Sequence, residues 1–163
     1  MEQRMPRRTW SSPGLPGRRP RLLVEDDRPA PAVSNFSLFR DAGLDVAFCS
    51  GPGDDPGACP LLNGQRCALV DRADVVLHGL SPGLGIAAAM HRQRPELPVL
   101  VEQPRGLDGT ADPVPAGCLP LRYPCSVRGQ ADAVLRAEAV ARRNRAGRPA
   151  PAARDGSRPP GPK

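Results

Sequence analysis

The stretch RLLVEDD, Arg21 to Asp27, runs three consecutive apolar residues straight into Glu25, Asp26 and Asp27. An unbroken apolar run this short suits a strand buried on both faces. Because it ends in clustered carboxylates, it is suited to form one wall of a cation or phosphate site. A second run of similar shape, ADVVLHGLSPG (Ala73 to Gly83), ends in His78 and Gly79. Neither residue can do the work of a carboxylate.

Working outward from Arg21, the first strand spans Leu22 to Glu25 and meets a breaker at Arg28-Pro29-Ala30-Pro31. Val33, Phe36 and Phe39 then recur at helical spacing, and Gly43 supplies a helix C-terminus. LDVAFC (Leu44 to Cys49) alternates as a second strand. After a Gly/Pro loop, Cys59 to Val70 is a weak, irregular segment where a second helix is expected. Asp74 to Leu77 is the third strand, and Leu84 to Arg94 a helix with Leu84, Ala87, Ala88 and Met90 inward. PVLVE (Pro98 to Glu102) is the fourth strand. Gln103 to Ala116 carries no helix signal. CLPL (Cys118 to Leu121) is a fifth strand whose proline argues for an edge position. Ser126 N-caps a final amphipathic helix, Val127 to about Arg143, with Val127, Ala131, Val134, Leu135 and Ala141 on one face. Strands alternating with helices predict a doubly wound α/β fold with a five-stranded parallel sheet. In such folds the site lies beyond the carboxyl ends of the strands, where Glu25, Asp26, His78, Glu102 and Gln103 all fall.

The chain has 163 residues, among them 22 prolines and 17 glycines. Residues 1–20 and 144–163 are Arg/Pro-rich stretches expected to be disordered tails because they hold too little apolar surface to offset ordering entropy. Residues 21–143 are left for one α/β domain. The net charge of +6 hides an asymmetry of basic arms on an acidic body, which suits weak, nonspecific attraction to nucleic acid. Arg-rich solubilising tails are the plainer reading. No run approaches the roughly 18–20 apolar residues that span a bilayer, and the amino terminus lacks the apolar core of a signal peptide. A soluble cytoplasmic protein with five reduced cysteines and no membrane partner is expected.

With its elements in this order, the chain resembles the receiver domains of bacterial response regulators over about residues 20–143. The likeness is carried by RLLVEDD, FRDAGLDVAFC, ADVVLHGLSPG, LPVLVEQ and GCLPLRYP. It implies a flavodoxin-like receiver fold, here with a weak second helix and a missing or irregular fourth. In that family an acidic pair after the first strand holds Mg²⁺ and an aspartate ending the third accepts a phosphoryl group. A Thr or Ser after the fourth strand and a Lys after the fifth bind the phosphoryl oxygens. Glu25 and Asp26 match the acidic pair, with Asp27 the polar residue after it. Counting back from Pro82 puts His78 at the acceptor position, and counting forward from Asp74 puts Gly79 there. Gln103 stands in place of the Thr or Ser and Leu121 in place of the Lys.

The resemblance therefore implies a two-component signalling fold with a degenerate pocket, a pseudo-receiver that works through protein–protein interaction. No catalytic residue, cofactor or metal is assigned. The partner is an unidentified protein or a second copy bound through the final helix; the alternative is a small α/β protein whose basic tails bind nucleic acid. His78 is open to reading as a phosphohistidine, a metal ligand or a pH switch, against the plainer role of closing a strand. Cysteine spacings without a C-x-x-C pair disfavour zinc, and a redox pair of Cys59 and Cys67 stands against simple reduced thiols.

Overall fold

The computed structural model describes Trp10 and residues 19–53, 55–80, 84–103, 113–122 and 125–147, with only the backbone of 29–34. Five strands, β1 (Arg21–Glu25), β2 (Asp45–Cys49), β3 (Val75–His78), β4 (Val99–Gln103) and β5 (Leu119–Arg122), form one sheet in the order β2-β1-β3-β4-β5. Every pairing is parallel. The helices are α1 (Pro29–Asp41), α2 (Ala68–Arg72), α3 (Ile86–Gln93) and α4 (Val127–Ala146), with a 3₁₀ turn at Pro56–Ala58. This is the doubly wound parallel sheet that the order of apolar runs predicts, in the flavodoxin-like form that the resemblance implies.

Successive strand residues point to opposite faces, and the core divides accordingly. Leu23, Ala47, Val76, Val99 and Val101 pack with Val70 of α2 and Ile86 and Met90 of α3. Leu22, Val46, Val75, Leu77 and Leu100 pack with Phe39 of α1 and Ala131 and Val134 of α4. Phe39 is fully buried, which contributes about 1.5–3 kcal/mol by area alone. β5 is paired on one side only among the described residues and is largely exposed, the position where Pro120 is tolerated.

Several boundaries differ from the sequence reading. The segment Arg28–Pro31 is not a breaker: Pro29 opens α1, where its missing N–H costs nothing and its fixed φ suits the first turn. The helix ends as predicted before Gly43, at φ +90. There Leu44 N–H bonds to Phe39 O and Gly43 N–H to Arg40 O, a Schellman closure. α2 exists, but has only five residues. α3 begins at Ile86 after Gly85 at φ +69, so Ile86 and Ala89 are buried while Leu84 is exposed and Ala88 is half-buried. α4 is capped by the Ser126 hydroxyl, which accepts from Gly129 N–H. It runs to Ala146 and buries Gln130 and Glu138 beside the expected Ala131 and Val134.

Trp10 is also buried, at 7 % exposure within the α2/α3-side core, with the Arg21 guanidinium 5.8 Å from its ring centre. That residue of the expected 1–20 tail packs on the body. Residues 1–9, 11–18 and 148–163 of the tails, residues 104–112 of the helix-less stretch, and Pro82 of the acceptor count lie outside the described residues. Among the described residues no helix is long and apolar enough to cross a membrane.

Candidate functional site

The carboxyl ends of β1, β3 and β4 bring together Glu25, His78, Gly79 and Glu102. Parallel pairing sets Glu25 opposite His78 in register, so their side chains share the face that carries Leu23 and Val76. His78 Nδ1 lies 2.7 Å from Glu25 Oε2, with the two side chains 1 % and 4 % exposed. The carboxylate accepts and the ring donates. His78 Nε2 is buried and has no partner among the described residues. The main chain locks the same corner, since Gly79 N–H donates to Glu25 O at 2.7 Å and Asp26 N–H to Cys49 O at 3.2 Å.

Asp26 turns to a different partner. Its Oδ1 accepts from the Arg28 backbone N–H at 2.8 Å, an Asx turn, and from Arg28 Nε at 2.9 Å. Its Oδ2 accepts from Arg28 Nη2 at 3.0 Å. The same Nη2 reaches Glu102 Oε2 at 3.3 Å. Glu102 Oε1 accepts from Gln130 Nε2 of α4 at 2.6 Å. Burial pushes the Glu102 carboxyl above its ordinary value, Arg28 opposes the rise and Asp26 adds to it.

Gly79 makes this arrangement possible. A Cβ built on it stands 2.9 Å from Glu102 Oε2 and 3.2 Å from Glu25 O, so any side chain there would press on the floor of the pocket.

The acidic pair read from the sequence is thus split: Glu25 is held by His78 and Asp26 by Arg28. Asp27 is exposed. Gln103 is half-buried at the end of β4, opposite Arg122 in register. Leu121 pairs with Glu102 and packs against the α1/α4-side core. Neither nearby aspartate substitutes for His78. Asp74 Oδ2 accepts from Arg21 N–H at the amino end of β1, the opposite end of the sheet from the pocket. Asp71 of α2 accepts from Arg66 and Gln93, and these contacts hold its carboxyl below the usual range.

Magnesium prefers near-octahedral oxygen ligands, one or two of them carboxylate. Here both oxygens of Asp26 and both of Glu102 accept hydrogen bonds, a guanidinium occupies the space between the two groups, and one oxygen of Glu25 is taken by His78. Among the described residues no three His, Cys, Asp or Glu side chains are grouped to hold a metal. The residues present do not fit the ion that the resemblance implies.

Arg28, Glu102 and Gln130 complete the network; the sequence places Glu102 at the strand-end site without a role and gives none to Arg28 or Gln130. Glu102 was visible as a charge ending an apolar strand, and Gln130 as a polar residue beside Ala131 on an inward helix face. Arg28 had only the Asp-x-Arg spacing to mark it.

All five cysteines are free and half-buried. Burial, reinforced by the nearby Glu25 carboxylate, pushes the Cys49 thiol up to about 11 from an ordinary 9.0. Its thiolate fraction at pH 8 is then about a hundredfold below that of an ordinary cysteine. Iodoacetamide labelling followed by peptide mass spectrometry should find Cys49 modified far more slowly than free glutathione in the same tube.

No family model matches the chain, and no curated protein matches it. The fold nevertheless has solved counterparts. The chain has the receiver-domain fold of response regulators. It superposes on a CheY-like receiver domain protein from Methanospirillum hungatei JF-1 with a TM-score of 0.54 and 14 % identity, covering 77 % of this chain and 98 % of that one. The signal receiver domain of an HD domain-containing protein from Pseudomonas fluorescens Pf-5 gives 0.54 at 17 % identity, over 80 % and 95 %. A response regulator receiver protein from Sinorhizobium medicae WSM419 gives 0.52 at 19 % identity, over 76 % and 97 %. The likeness to these receiver domains is one of fold.

Proposed function

We propose that this chain is a receiver-like regulatory protein that accepts no phosphoryl group and works by binding a protein partner. The observation that carries the reading is the internal pairing of the pocket's acids, Glu25 with His78 and Asp26 with Arg28. Phosphoryl transfer needs a nucleophile, a metal and a cationic clamp on the transferred oxygens. Of the two residues that the counts put at the acceptor position, His78 is 1 % exposed and tied to Glu25 and Gly79 has no side chain, and Leu121 provides no positive charge at the end of β5.

A binding role draws support from the other side of the molecule. An open groove of about 1000 Å³ lies between β4, β5 and α4, with Leu97, Leu119, Leu121 and Val140 in its wall and Arg136 and Arg143 at its rim. Leu119 and Val140 are 43 % and 48 % exposed. Contiguous exposed apolar surface with a charged rim is the signature of a partner site. The basic rim disfavours a symmetric second copy and favours an acidic partner.

Incubation of the full chain with acetyl phosphate and magnesium, followed by intact-mass spectrometry, tests the phosphoryl claim. No acid- or base-labile phosphoryl adduct is expected. An adduct mapped to His78, Asp26 or Glu102 would overturn the reading.

A further inference from the structure

We infer that the Arg28 guanidinium is a tethered counter-cation, standing where its charge shuts the acidic pocket to divalent ions. Taking that guanidinium away opens a cation site between Asp26 and Glu102. The inference rests on the proposed reading of the pocket but concerns cation binding, which can fail without any phosphoryl transfer occurring.

The geometry is specific. Asp26 Oδ2 and Glu102 Oε2 lie 3.0 and 3.3 Å from one nitrogen, Arg28 Nη2, although the two acids are far apart in sequence and come from different strands' ends. A small divalent ion is held by one or two carboxylates with water completing its shell, and Asp26 Oδ2 and Glu102 Oε2 supply two. The absence of a side chain on Gly79 lets Glu102 Oε2 and Glu25 O close in, since a Cβ there would stand 2.9 and 3.2 Å from them. Burial already holds the Glu102 carboxyl above its usual range against the pull of Arg28. Two carboxylates in a half-buried pocket therefore need a cation, and the chain carries its own.

Tethering has a chemical consequence. Arginine stays charged at every physiological pH, and its attachment two residues after Asp26, fixed by the Asx turn, keeps its local concentration constant. A divalent ion entering the pocket has to displace it or bind beside it. The repulsion between a divalent ion and a guanidinium at this separation lowers affinity by roughly tenfold or more even with strong solvent screening.

Titration with Mn²⁺, following loss of the free-ion paramagnetic resonance signal, tests this on the full chain. R28Q and R28M should each bind one Mn²⁺ roughly tenfold or more tightly than the native protein. R28K, which keeps a cation in place, should stay near native. R28Q/E102Q should lose what R28Q gains. Circular dichroism establishes that each variant retains the sheet, and the two neutral variants guard against one failing to fold. Native protein binding Mn²⁺ as tightly as R28Q, no gain in either neutral variant, or a gain that survives E102Q would each overturn the inference. Acetyl phosphate labelling of the same samples separates this outcome from the proposed lack of phosphoryl acceptance.

Discussion

His78→Leu is expected to destabilise the folded chain by about 3–5 kcal/mol, the range for breaking a buried ionisable pair from one side. Glu25 is 4 % exposed and gives one carboxylate oxygen to His78 Nδ1 at 2.7 Å. Leucine removes the donor while the carboxylate stays inside, walled by β2 and β3 and unable to reach bulk water. The second half of the prediction distinguishes this cause from lost packing. Glu25→Leu made together with His78→Leu removes both polar partners, and such double replacements are often neutral or stabilising. Urea unfolding of the two singles and the double should show strong non-additivity, with the double closer to native than either single. Additive losses would mean that the pair contributes only bulk.

Trp10→Ala should cost about 3–5 kcal/mol, as large aromatic truncations in cores do. The residue sits at 7 % exposure among Leu23, Val76, Ile86 and their neighbours, and the Arg21 guanidinium lies against its ring. Chemical denaturation followed by circular dichroism gives the number. A loss below 1 kcal/mol, roughly the size of a surface substitution, would mean that Trp10 is not part of the core. The result also decides how the basic tails are tested for nucleic-acid binding. Deleting residues 1–20 removes Trp10 and weakens the body as well as the charge. Deleting 1–9 and 148–163 keeps the anchor, so salt-sensitive DNA binding that vanishes with this shorter cut reports on the tails alone.

The fold was legible because parallel strands buried on both faces leave short, dense apolar runs, and LLV, DVAF, VVL and VLV each became a strand core. Gly43 and Ser126 marked helix ends for local reasons that survive any tertiary context. Where local signals competed, the reading slipped. Two prolines near Arg28 looked like a break when one of them opened a helix. Gly85 in the left-handed region fixed where α3 begins, which moved the buried face from Leu84 and Ala88 to Ile86 and Ala89. Trp10 was missed because its neighbours in sequence have no apolar period.

The site was half legible for a related reason. Strand order alone delivers Glu25, Asp26, His78 and the end of β4 to one edge, so their meeting followed from the fold. Which acid pairs with which cation depends on side-chain reach across strands. Arg28 joins Glu102 across 74 positions, a contact no window of sequence contains. The split of the acidic pair between His78 and Arg28 is therefore a tertiary fact.

The carboxylates of this pocket are already held by partners within the chain. Amide NMR spectra of isotope-labelled protein, recorded with millimolar magnesium before and after beryllium fluoride is added as a phosphoryl mimic, test it most directly. The Asp26, Gly79 and Gln103 amides should stay where they are. Saturable shifts at these three positions, growing with magnesium and completed by beryllium fluoride, would contradict it.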